Sequence, residues 1–329
     1  MALAYSDTSC MKRRNFLTLS SATMASFAFN RSGFAKKPEQ IDAAWYLRSR
    51  RFASLPMGRV AYVEYGHGPA ALFLHGFPLN SYQWRGALER LHKHRRCIAP
   101  DFMGLGKTET PEGQVISPET QVAMLAALLD SLHIDSVDLV ANDSGGLVAQ
   151  LFVARHPKRV RTLLITNCDV DENNPPPNFA PAVALAKKGM FAERFILPQV
   201  QNKQTARTGR GSLGSVFTYP DRLTDETIDI YFGPLVESPL RMMQLDQYTV
   251  SLGTNDLIAI REDLRQWKGA ARIVWAMKDT FFPVASAEWL DHTLLGSRGV
   301  RRVDGANLFF PEEMPDLIAE EAKHLWGIS

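Results

Sequence analysis

The chain has 329 residues, 45% apolar and 22% charged, with 37 basic against 35 acidic side chains and a formal net charge of +2. That balance offers no basic field for a polyanion and argues against a nucleic-acid partner, and the apolar fraction excludes a disordered or collagen-like chain. No run approaches the roughly 20 apolar residues that span a bilayer, which leaves a soluble globular protein with a substantial core.

At the N-terminus, Lys12, Arg13 and Arg14 precede Asn15-Phe16-Leu17 and a mildly apolar run to Phe29, followed by small residues up to Ala35. A basic region, a short weak apolar region and a small-residue exit read as an export signal. The Arg13-Arg14 pair resembles a twin-arginine signal, which implies an exported, periplasmic protein folded before transport. The alternative is an amphipathic or unstructured arm. Residues 1–35 hold four basic residues and one acidic, so removing them from 37 and 35 leaves 33 and 34. The slight positive charge therefore belongs to the signal. Cys10 lies in that segment, and the remaining Cys97 and Cys168 fall at ends of predicted buried strands, where a free Cys behaves as a small apolar residue. Two cysteines make no disulfide framework.

Beyond the signal, apolar runs at Val60–Tyr65, Ala71–Leu74, Cys97–Pro100, Val137–Ala141, Leu163–Thr166 and Ile273–Ala276, and more weakly at Gly299–Val303, predict strands. Most are continuous rather than alternating, as parallel strands covered on both faces require. Helices fall between them. Ser117-Pro118 makes an N-cap and first-turn pair, after which Val122, Leu125, Leu128, Leu129 and Leu132 share one face. Such alternation predicts an open, mostly parallel α/β sheet that binds ligands at the carboxyl ends of its strands.

After Thr166 the alternation stops. Three prolines, Pro175–Pro177, open a helical, polar stretch that lasts to about Ile260. It is expected to be a cap over the site. Within it, Gly209-Arg210-Gly211-Ser212-Leu213-Gly214 spells GxGxxG, but no strand precedes it and no βαβ unit surrounds it, so a mobile cap loop is the reading and no nucleotide cofactor is expected. Neither a metal nor any other cofactor is called for by the sequence.

The strand Val137–Ala141 runs through Asn142-Asp143-Ser144-Gly145-Gly146 into a helix, Leu147 to Arg155. This pattern is a strand–nucleophile–helix elbow, whose tight turn needs small residues two positions to either side. Ala141 and Gly145 satisfy that for Asp143. A register centred on Ser144 would place Asn142 at a small position instead. The alternative role for Asp143 is that of a helix N-cap alone.

These residues, together with His75-Gly76-Phe77-Pro78, Pro100-Asp101-Phe102-Met103-Gly104-Leu105-Gly106, His156-Pro157 and Trp275-Ala276-Met277-Lys278-Asp279, occur in an order and spacing that resembles the α/β-hydrolase superfamily over residues 52–327. The resemblance implies an eight-stranded, mostly parallel sheet with helices on both faces. It divides the chain into an export signal at 1–35, a core at 36–170 and 256–329, and an inserted helical cap at 171–255. It also implies an oxyanion or leaving-group pocket made by the Phe77 and Ser144 N–H groups, with Asp279 as the acid that orients a catalytic His and Asp169 as a weaker candidate for that role. An aspartate at the elbow resembles the haloalkane dehalogenase and epoxide hydrolase branch, in which a carboxylate attacks an sp³ carbon of a small apolar substrate and the alkyl-enzyme ester is then hydrolysed. Ser144 and Phe77 stand where such dehalogenases usually carry a halide-binding Trp and often an Asn, while His75-Gly76-Phe77-Pro78 looks more like an epoxide hydrolase. In those enzymes cap tyrosines protonate the epoxide; Tyr219, Tyr231 and Tyr248 are the candidates. On the family's pattern His75, Phe77, Trp84, Phe102, Phe281, Phe282, Phe309 and Phe310 line the pocket.

The C-terminal loop departs from that pattern. Aligning Glu313-Met314-Pro315 with the family's Glu-x-Pro puts Leu308 at the position of the catalytic His, and none of the eight histidines falls in this loop. His292 and His324 read as helix surface residues. Attack by an ionised Asp143 needs no base, but losing the base from ester hydrolysis costs about 10²–10⁴-fold. Three readings follow: a hydrolase with water activated by another group such as Asp279 or Asp143 itself, non-hydrolytic chemistry with Asp143 as base, or a pseudoenzyme that binds an apolar ligand under the cap.

Overall fold

The computed structural model describes residues 41–328, so the export signal and Cys10 lie outside the described residues. Eight strands form one sheet in the order β1-β2-β4-β3-β5-β6-β7-β8. They are β1 Arg50–Leu55, β2 Gly58–Tyr65, β3 Ala70–Leu74, β4 Arg96–Pro100, β5 Val137–Ala141, β6 Val160–Thr166, β7 Ala270–Ala276 and β8 Ser297–Val303. β1 and β2 pair antiparallel, as do β2 and β4, and every later pairing is parallel.

Burial follows from position in the sheet. Every residue of β3 and β5 is buried, which is why these central strands read as unbroken apolar runs. β1 is an edge strand with no fully buried residue. Its Arg-Arg-Phe-Ala-Ser-Leu sequence carries no continuous apolar signal, so the sequence reading omits it. β8, the other edge, is likewise half-exposed, and it begins two residues before the predicted Gly299.

Helix Pro118–Ser131 starts as expected, with Ser117 and Thr120 capping one another's backbone N–H groups. The helix Ser144–Arg155 buries all but its last two residues, because it packs directly behind the central strands. Between β6 and β7 the chain is a succession of short helices and turns. The GxGxxG segment there follows helix Lys203–Thr208 rather than a strand, and its last two residues open the 3₁₀ turn Leu213–Val216. Both Cys97 and Cys168 are free and buried.

The carboxyl ends of the central strands are tied by a buried polar network. Asn142 accepts from Gln83 Nε2 at 2.7 Å and donates to Thr166 Oγ1 at 2.8 Å and to the Asn167 and Leu308 carbonyls, both at 3.2 Å. The loops after β3, β5, β6 and β8 are thus joined through one amide, and each of its polar atoms is satisfied, as burial demands.

Candidate active site

The turn after β5 fixes Asp143 with φ 55° and ψ −131°. A non-glycine residue held there costs on the order of 1–3 kcal/mol and persists only where its surroundings impose it. Those surroundings are visible. The Asp143 N–H donates to the Asn167 carbonyl at 2.7 Å, and the Asp143 carbonyl accepts from Gly146 at 2.8 Å. A Cβ on Gly145 would lie 2.4 Å from the Leu74 carbonyl oxygen, and one on Gly76 would lie 2.8 Å from Asp143 Cβ. The small residues therefore admit the turn, and the carboxylate projects from its apex. Asp143 makes no side-chain capping bond to the helix it precedes, which removes the N-cap explanation of that residue.

Instead, the Asp143 carboxylate turns toward the loop after β3. Phe77 N–H donates to Asp143 Oδ1 at 2.6 Å, and the Ser144 N–H also favours the carboxylate charge. Burial nevertheless pushes its pKa up to about 7. Asp279, just after β7, accepts from Asn167 Nδ2 and from the Phe281 N–H, both at 2.8 Å. Burial raises it to about 6 against those hydrogen bonds. Asn167, absent from the sequence reading, thus links the elbow backbone to Asp279. Its only sequence signal is its position directly after β6.

Above Asp143 lies a cavity of about 320 Å³ lined by Asp143, Ser144 and Asp169, and mostly by apolar groups that include Phe77, Phe191, Phe281, Phe282, Leu308 and Phe309. That size falls in the range of small-molecule sites. Residues Pro176 to Leu252 of the β6–β7 segment supply much of its wall, including Gly211, Ser212 and Leu213 of the GxGxxG stretch. Phe77 packs against Phe179 and Phe191, with ring centroids 5.7 and 5.9 Å apart.

Four expected lining residues, His75, Trp84, Phe102 and Phe310, sit elsewhere. Trp84 is fully buried against Phe73 and does not line the cavity. Phe102 is also fully buried and packs on His75. His75 faces Gly76 O through Nδ1 at 2.9 Å and accepts the Phe102 N–H on Nε2 at 3.0 Å. Both ring nitrogens are engaged, and burial lowers its pKa, so a neutral His75 fastens two loops together. Aromatic side chains flanking a site loop bury more area in the core than at a pocket mouth, and of the His75–Pro78 loop Phe77 and Pro78 line the cavity. Phe310 is also buried but lines no part of the cavity.

Leu308 lines the cavity at 3% exposure. Among the described residues no histidine lines it, and His292 and His324 are exposed on their helices. Glu313 accepts from the Thr218 and Tyr219 N–H groups at 2.8 and 2.6 Å. The Glu-x-Pro segment therefore anchors the β6–β7 segment to the C-terminal loop.

The three tyrosines separate clearly. Tyr219 is exposed. Tyr231 donates to Glu312 at 2.6 Å, and Glu312 also pairs with Arg85 at 2.7 Å. Tyr248 is fully buried beneath Phe77, with its hydroxyl beside those of Ser144 and the Asp143 carboxylate. Neither the Ser144 nor the Tyr248 hydroxyl reaches a partner at full hydrogen-bond geometry. Among the described residues no group of three His, Cys, Asp or Glu side chains is placed to hold a metal ion, and no helix is long and apolar enough to cross a membrane.

Residues 69–313 match the pattern of the alpha/beta hydrolase fold family. The chain belongs to that family. A haloalkane dehalogenase 2 of Mycobacterium tuberculosis is 23% identical over 307 residues, covering 85% of this chain and 93% of that protein. An epoxide hydrolase 2 of Siraitia grosvenorii is 35% identical over 154 residues, 45% of this chain and 46% of that protein; that match spans less than half of the relative. Among solved structures, the haloalkane dehalogenase DbeA from Bradyrhizobium elkani superposes with a TM-score of 0.69 at 23% identity, over 85% of this chain and 98% of that one. At that identity the superposition speaks for the fold. The family membership and the dehalogenase-like and epoxide hydrolase-like relatives agree with the resemblance drawn from the sequence motifs.

Proposed function

We propose that this protein is a hydrolase in which the Asp143 carboxylate attacks an sp³ carbon of a small apolar substrate and forms an alkyl-enzyme ester. The observation that carries the reading is Asp143 itself, held at φ 55° on the elbow, 2.6 Å from the Phe77 N–H, at the floor of an apolar cavity. In this role Phe77 and Ser144 N–H groups stabilise the oxygen charge that builds on Asp143 Cγ when the ester is cleaved. Asp279 stays outside the cavity lining and acts through Asn167, fixing the elbow backbone rather than orienting an imidazole. An epoxide suits the site better than a haloalkane, since no indole N–H lines the described cavity to cradle a halide.

Intact-mass measurement on purified protein tests this. Incubation with terminal epoxides and bromoalkanes is expected to give a transient mass gain of one substrate residue, lost in Asp143→Asn, with diol or alcohol released by the wild type. An unmodified mass and no product across epoxides, haloalkanes and esters would favour the ligand-binding pseudoenzyme instead.

We also propose that residues 1–35 direct export through the twin-arginine route. Replacing Arg13 and Arg14 with Lys is expected to leave the full-length protein in the cytoplasmic fraction. Unchanged export would sink that assignment.

A further inference from the structure

Asp169, three residues beyond β6, lines the same cavity as Asp143 and is 6% exposed. Gln150 holds its backbone carbonyl at 2.8 Å. Its carboxyl meets no N–H but its own among the described residues. The groups facing it are the Asp143 and Asp279 carboxyls, the Cys168 thiol and the Tyr248 hydroxyl, and no cation is among them. Here, then, is a buried carboxyl on a cavity wall, offered only its own N–H, within electrostatic reach of a second carboxyl that lines the same cavity.

Two carboxylates buried in one site do not both ionise cheaply; one keeps a proton. Hydrogen bonding decides which. Asp143 is offered the Phe77 and Ser144 N–H groups, which favour its charged form, and Asp169 is offered neither. The proton therefore rests on Asp169, whose pKa burial and the Asp143 charge hold well above the ordinary carboxylate value.

We propose that Asp169 is the proton-transfer residue of this cavity, acting first as an acid and then as a base, a role that rests on Asp143 being the nucleophile. In the first step an Asp143 oxygen bonds to the epoxide carbon. The carbon–oxygen ring bond breaks, and the ring oxygen takes the Asp169 proton, giving a hydroxyalkyl ester and an Asp169 carboxylate. Esterification also removes the Asp143 charge, so Asp169 remains ionised. In the second step water adds to Asp143 Cγ while giving a proton to Asp169. The tetrahedral intermediate collapses with cleavage of the Cγ–O(alkyl) bond. The departing alkoxide takes the remaining proton from the new Asp143 carboxyl group. The sum is epoxide plus water to diol, with Asp143 again ionised and Asp169 again protonated. One carboxyl thereby covers both the base absent at Leu308 and the acid usually supplied by cap tyrosines. It also selects the substrate class, a strained cyclic ether, because an oxygen leaving group needs that proton and a halide does not.

The two substrates separate the roles. 1,2-Epoxyhexane and 1-bromohexane are each mixed with wild type, Asp169→Asn and Asp143→Asn, and quenched for intact mass and product over time. With bromohexane the leaving bromide does not take the Asp169 proton, which passes to solvent once the ester has removed the Asp143 charge. In Asp169→Asn, bromohexane is expected to alkylate within about threefold of the wild-type rate, and the hexyl ester to accumulate with hydrolysis slowed about 10²-fold or more. Epoxide alkylation in the same variant is expected to slow about 10²-fold or more. Wild-type epoxide turnover in Asp169→Asn, or an equal slowing of the alkylation step with both substrates, would overturn the proposal, the second result marking a merely structural residue. Asp169→Ser, smaller and also neutral, replaces Asp169→Asn under the same criteria should the amide not be accommodated. Turnover that survives Asp143→Asn, or a wild type that forms neither ester nor product, overturns the nucleophile reading and this proposal with it.

Discussion

Asp143→Asn is expected to raise the melting temperature by about 5 °C or more at pH 8 while removing all ester formation. The gain has a stated origin. In the folded chain burial pushes Asp143 up to about 7, against about 3.9 in an unfolded chain. Between those values the native state binds more protons than the unfolded state, so stability falls as pH rises. Above pH 7 the ionised carboxylate costs the folded state an amount on the order of several kcal/mol, and each kcal/mol moves the midpoint of a domain this size by roughly 2–4 °C. An asparagine oxygen still accepts from Phe77, and its amide can donate to the Ser144 or Tyr248 hydroxyl. The backbone strain of φ 55° is left in place, so the change isolates the charge. Thermal melts of both proteins from pH 4 to 9 provide the check. The curves should converge near pH 4 and separate as pH rises through about 7. A constant gap would mean that the charge is not the cause. Alkylation by the wild type should rise over the same interval, because the ionised form that destabilises the fold is the form that attacks.

That opposition explains what could be read from the sequence. Continuous apolar runs at β3 and β5 announced fully buried parallel strands, and the small residues around Asp143 announced the elbow, because both are local requirements of the backbone. β1 was not legible, since an edge strand half in water needs no apolar pattern. Trp84 and Phe102 show the matching limit at the site: an aromatic residue beside a site loop has the same sequence signature whether its ring faces the core or the cavity. Asp169 could be counted as a carboxylate after β6, but its lack of donors depends on Gln150, Asn142 and Asn167 spending their hydrogen bonds elsewhere. No pattern of residue types along the chain records that allocation.

Leu308→His is expected to restore ester hydrolysis to Asp169→Asn by at least about tenfold, because it returns a base to the position the C-terminal loop presents to the cavity. The loop is already set for it. The Leu308 carbonyl accepts from Asn142 at 3.2 Å, its N–H donates to Asn307 Oδ1 at 2.9 Å, and Phe309 N–H is held by the Val216 carbonyl at 3.1 Å. The backbone therefore stays where it is when the side chain changes. The substitution removes apolar packing and buries an imidazole, so a loss of about 1–3 kcal/mol in unfolding free energy is expected alongside the gain. Burst experiments with 1-bromohexane read the result directly, since the accumulated hexyl ester of Asp169→Asn should decay once Leu308→His is added, with a rate that rises as the imidazole loses its proton. If the ester persists in the double variant while it still folds and alkylates, Leu308 does not occupy the vacated base position. In the wild-type background the same substitution should change ester hydrolysis much less, because the Asp169 carboxylate already accepts the proton of the attacking water.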